Sequence, residues 1–133
     1  MSNVSGAAKT LQTAKRVVVK VGSSSLTRPD GHLSVARLHT LVEALVGYAA
    51  GGREVVLVSS GAQAAAMGPL GLKARPKTLA GAQAAASVGQ GLLIAEYTRA
   101  FGSFDIKVGQ VLLTAVDVLR RNHYKNARRA LEQ

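Results

Sequence analysis

There is no cysteine among the 133 residues, which excludes disulfides, thiolate metal sites and cysteine nucleophiles together. A reducing, cytoplasmic compartment fits that lack. Aromatic residues are nearly as scarce. Tyr48, Tyr97, Tyr124, Phe101 and Phe104 are all the chain has, too few for base-stacking platforms and a reason to set nucleic acid low among partners. Acidic side chains number 7 against 17 basic ones, a formal net charge of +10, which raises the question of a polyanion. The acids Asp30, Glu43, Glu54, Glu96, Asp105, Asp117 and Glu132 form no pair suited to metal binding or acid–base work. A long apolar run is missing too. Residues 55–72 carry no charge, but Ser59, Ser60, Gly61 and Pro69 interrupt them, so no membrane span is expected. Residues 1–13 lack the apolar core of a signal peptide and read as a flexible tail, leaving 14–133 as one folding unit.

Familiar catalytic signatures are absent as well. No Gly-x-x-x-x-Gly-Lys-Ser/Thr is present, which disfavours a P-loop enzyme. Gly89-Gln90-Gly91 lacks the third glycine of a dinucleotide fingerprint and follows no strand. Ser60 is not set in a Gly-x-Ser-x-Gly elbow. His123 has no second ligand at metal-binding spacing and reads as a solvated or packed histidine.

What is present is organised around residues 16–25, RVVVKVGSSS. Four valines surround Lys20 without alternation, the pattern of a strand buried on both faces. A cation in such a run must be paired or lie at the strand's exit, because an unpaired buried charge costs about several kcal/mol. Gly22, Ser23, Ser24 and Ser25 then offer approachable N–H groups and three hydroxyls. Two readings fit: a phosphate cradle with its own lysine, or a strand-end lysine whose stem packs, followed by an ordinary Gly/Ser turn.

Thr27 to Gly31 is dense in turn formers. Ser34 can cap a helix in which Val35, Leu38, Leu41, Val42, Leu45 and Ala49 share one face, ended by Gly51-Gly52. Residues 54–58 form a second aliphatic strand, reached through that helix and so parallel to the first. It stops at Ser59-Ser60-Gly61, before the helix formers Ala62 to Met67. A carboxylate or phosphate would gather at such a carboxyl end of a parallel sheet. Residues 68–77, with Lys73, Arg75 and Lys77, make a basic loop, either solvated or substrate-gating. One long helix is expected over 78–100, where Gly81, Gly89 and Gly91 permit close backbone approach. A third strand is expected over 107–114 and a basic helix over 117–131.

In this order and spacing, the segments VVKVGSSSLT (18–27), VVLVSSGA (55–62), LGLKARP (70–76), QAAASVGQ (83–90), VGQVLLT (108–114) and Tyr124-x-Asn126-Ala127 resemble the glutamate 5-kinases of the amino-acid kinase family over about 15–133. The resemblance implies an α/β fold, a three-layer αβα sandwich around an open, mainly parallel sheet. It also implies transfer of the γ-phosphoryl group of ATP to the side-chain carboxylate of L-glutamate, the first step of proline biosynthesis. By that resemblance Lys20 is the catalytic, charge-neutralising lysine. Lys20, Gly22, Ser23 and Ser24 bind ATP phosphate, and Ser60, Gly61 and Ala62 hold glutamate. ATP and Mg2+ are implied, the magnesium ligands not being identifiable in this chain, and the full enzyme is expected as a homo-oligomer. Gln63 stands where the family has an aliphatic residue. The family's later motifs have no counterpart in 1–133, so the chain is expected to be an inactive front portion of the kinase domain with an open sheet edge. The alternative is a basic nucleic-acid-binding module using 120–129, with Arg120, Arg121, Lys125, Arg128 and Arg129.

Overall fold

A computed structural model describes residues 2–133. In chain order the elements are α1 (Ser2–Thr13), β1 (Arg16–Val21), α2 (Ser23–Leu26), α3 (Val35–Ala49), β2 (Glu54–Ser59), α4 (Ala62–Met67), α5 (Leu79–Gly102), α6 (Ala115–Leu119) and α7 (Arg121–Leu131). β1 and β2 are parallel, with Arg16 opposite Glu54, Lys20 opposite Val58 and Val21 opposite Ser59. The crossover through α3 is the one the sequence predicts. Ser34 caps α3 by accepting from the Arg37 N–H, and Leu38, Val42 and Leu45 are its buried stripe.

The core joins one sheet face to α3 and α5. Val21, Leu26, Leu38, Val42, Ala65, Leu93, Tyr97 and Ala100 form a buried cluster, flanked by Val19 and Leu57. β1 therefore alternates: Arg16, Val18 and Lys20 are exposed, while Val17, Val19 and Val21 turn inward. This corrects the expectation of burial on both faces. Val18 is 63% exposed and Val58 48%, because only one layer of helices covers this short sheet closely.

Further expectations are corrected. Residues 107–114 form no strand, and the sheet has the order β1-β2 alone. Ile106 to Leu113 run beside β2 across an apolar gap of about 650 Å³ shared with Leu93, Tyr97 and Phe101. A strand exists only where its N–H and C=O groups find a ladder, and aliphatic composition does not supply one. The basic helix of 117–131 is two helices, broken at Arg120, whose backbone is extended (φ −86°, ψ 117°). Residues 2–13 are helical where composition suggests a tail; the Tyr48 hydroxyl donates to the Leu11 carbonyl at 2.6 Å. No helix among the described residues is long and apolar enough to cross a membrane.

α6 begins in a capping box. The Thr114 hydroxyl donates to Asp117 Oδ2 at 2.6 Å, its N–H donates to the same oxygen at 2.8 Å, and His123 Nδ1 lies 2.9 Å from Oδ1. Those bonds, the Thr114 hydroxyl foremost, hold the carboxyl down at about 2. The native state thus keeps Asp117 ionised to lower pH than the unfolded chain does. Its contribution is complete above pH 3.8 and is lost as the pH falls from there through about 2. A carboxyl-carbon NMR titration of Asp117 should show its midpoint near that low value, and Thr114→Val should raise it; a midpoint unchanged by Thr114→Val contradicts the assignment of cause.

Candidate functional site

Parallel pairing puts the carboxyl ends of β1 and β2 side by side, and each runs into a short helix. At the end of β1, Gly22 is the extended N-cap of α2 (φ −77°, ψ 157°), and the Ser25 N–H closes the turn onto the Gly22 carbonyl at 3.1 Å. Lys20 sits on the exposed face and has no ion-pair partner among the described residues. A Cβ added at Gly22 would lie 3.8 Å from Lys20 Nζ and 3.9 Å from Ser24 Oγ. Glycine therefore leaves open the space between the amine and that hydroxyl.

At the end of β2 the backbone swings through Gly61, whose φ of +125° only glycine adopts without strain. Ser60 is anchored to the neighbouring strand twice. Its N–H and its hydroxyl both donate to the Val21 carbonyl, at 3.1 and 3.2 Å. Gly61 is buried, with Leu26 Cδ1 of α2 3.9 Å from where its side chain would begin. The two corners are consequently one continuous patch at one end of the sheet. Lys20, Gly22, Ser23 and Ser24 lie on its β1 side, and Ser60, Gly61 and Ala62 on its β2 side.

Three residues stand behind this patch; sequence reasoning gave none of them a part in it, although it marked Gly89 for close backbone approach. The hydroxyls of Ser59 and Tyr97 are 2.7 Å apart, and the Ser59 hydroxyl donates to the Ser60 carbonyl at 3.1 Å. Burial pushes the Tyr97 phenol above its ordinary value, partly offset by the Ser59 bond, so it remains a proton donor at neutral pH. Helical spacing marks Tyr97 as a core position. The added signal was the hydroxyl, which a buried tyrosine almost always pairs. Gly89 of α5 is the third. A Cβ there would overlap the Ala62 carbonyl oxygen and lie 2.6 Å from its carbon, so α4 and α5 cross at backbone contact. Gly91, two residues on, has nothing within 4 Å.

The sequence model of the amino acid kinase family matches residues 15–133. The chain belongs to the amino acid kinase family. Among curated members of the family it is 60% identical over 120 residues to "Glutamate 5-kinase" of Frankia casuarinae (90% of this chain, 32% of that protein). It is 61% identical over 120 residues to "Glutamate 5-kinase" of Salinispora arenicola (90% and 32%). The value is 53% over 130 residues for the Streptomyces coelicolor protein of the same name (98% and 35%). The chain thus spans about a third of the length of these curated amino acid kinases. Two parallel strands bounded by helices agree with an open α/β sheet of that family.

Proposed function

We propose that this chain forms the front of an ATP-dependent kinase that phosphorylates the side-chain carboxylate of L-glutamate; its relatives bear the name "Glutamate 5-kinase". The observation that carries the reading is the juxtaposition of the two strand ends, with Ser60 bonded to the Val21 carbonyl beside the Lys20–Gly22 turn. A phosphoryl donor and a carboxylate acceptor need such adjacency, because phosphoryl transfer is achieved mainly by alignment and charge stabilisation. In this reading a glutamate side-chain oxygen forms a bond to the γ-phosphorus as the bond to the ATP bridging oxygen breaks, and ADP leaves. Lys20 supplies positive charge to the transferring group. Gly22, Ser23 and Ser24 contact phosphate oxygens, and Ser60, Gly61 and Ala62 hold the glutamate.

No residue is assigned to magnesium. Among the described residues no group of three or more His, Cys, Asp or Glu could hold a metal ion, and no step is derived through one. Cytoplasmic location and assembly into a homo-oligomer belong to the same proposal. The nucleic-acid alternative draws nothing from the relatives, and within the basic helix Arg128 is already paired with Glu132.

The test is formation of glutamyl phosphate, trapped with hydroxylamine, in the presence of ATP. A chimera in which residues 15–133 replace the matching third of the Frankia casuarinae relative is expected to turn over. The 133-residue chain alone is expected not to. A folded but inactive chimera, beside an active parent, would sink the reading.

A further inference from the structure

The patch at the sheet end is held from behind by α5, at two separate places. Tyr97, buried in the core, meets Ser59 at 2.7 Å, and Ser59 meets the Ser60 carbonyl at 3.1 Å. The Ser59 hydroxyl therefore links the phenol to the Ser60 carbonyl, and chained bonds of this kind strengthen one another. About 12 Å back along α5, Gly89 abuts the carbonyl of Ala62. One rigid helix thus touches the residue before Ser60-Gly61 and the residue after it. Ser60 itself is fixed on its N–H and hydroxyl by Val21, so its carbonyl is the remaining freedom, and Tyr97 removes it.

We infer that the Tyr97 hydroxyl is a positioning group for the acceptor side of this site, acting through Ser59 on the backbone of Ser60–Ala62 rather than by touching the substrate. This rests on the glutamate reading above for the identity of the acceptor, and on geometry alone for the positioning. A core tyrosine whose only task is to fill volume would be replaced by phenylalanine without local consequence. A positioning tyrosine would not.

The experiment uses the 15N-labelled chimera carrying residues 15–133 and its Tyr97→Phe variant, with amide spectra recorded in the presence and absence of L-glutamate and, separately, ATP. Tyr97→Phe is expected to shift the amides of residues 59–62 more than those of Leu38 and Val42 in the same core. It should weaken L-glutamate binding by about threefold to tenfold, the value of one hydrogen bond, with ATP binding unchanged. Ser59→Ala should give the same split, and it carries the test if Tyr97→Phe does not fold. Unmoved amides at 59–62, or equal losses for glutamate and ATP, overturn the inference. A chimera with wild-type residues 15–133 that is indifferent to L-glutamate overturns the acceptor's identity instead. The shifts at 59–62 in Tyr97→Phe then decide the positioning role by themselves.

Discussion

Gly89→Ala should lower stability by about 2 kcal/mol, although alanine is the better helix former. Propensity in a helix interior favours alanine by about 1 kcal/mol. Against it stands a methyl group overlapping the Ala62 carbonyl oxygen and 3.0 Å from the Ala66 N–H nitrogen. Overpacking costs about 1–3 kcal/mol and occasionally more. Here the obstacle is main chain on both sides, with no flexible side chain to give way, so the upper end applies and the clash wins. Gly91→Ala, on the same helix with open space around it, should do the reverse and raise stability by up to about 1 kcal/mol. Urea denaturation of the three proteins checks both signs. Two shifts in the same direction would show that α4 and α5 do not cross as described.

The second large effect concerns Lys20. In the active chimera, Lys20→Met should lower the turnover number by roughly 10²- to 10³-fold, the usual loss when one preorganised charge-stabilising group is removed. Stability should hardly change, since the side chain lies on the exposed sheet face and has no ion-pair partner among the described residues. Methionine retains the apolar stem that packs along the strand. A variant that keeps more than about a tenth of the parental turnover would remove Lys20 from the chemistry, by the same scale.

Much of the architecture was legible because the signals are local. Ser34 capping α3, the apolar spacing of Leu38, Val42 and Leu45, and the glycines at 22 and 61 each announce a boundary through backbone chemistry that the residue itself imposes. The crossover rule then placed both strand ends together. Features that depend on distant partners were harder to read. The valines of β1 alone gave no sign that one face would be exposed; the sign lay in Arg16 and Lys20, which share the face of Val18 because strand side chains alternate. KVGQVLLT reads as a strand, yet pairing is a property of two segments. Three glycines of α5 looked alike, but only tertiary contact distinguishes Gly89, pressed against Ala62, from Gly91 in the open. Tyr97 was visible as a core position, while its bond to Ser59 bridges 38 residues of sequence.

At the end of the sheet remote from the candidate site, Arg16 and Glu54 are paired on the strand face that also carries Lys20. Both side chains are exposed, at 45% and 62%, so the pair adds little to stability. Its consequence is one of alignment. A slip of one residue between the strands would part these opposite charges and, because side chains alternate, turn the amine away from the face its neighbour's corner serves. The pair works as an index mark some 13 Å upstream, about four residues of strand, that keeps the lysine on the working side of the ribbon.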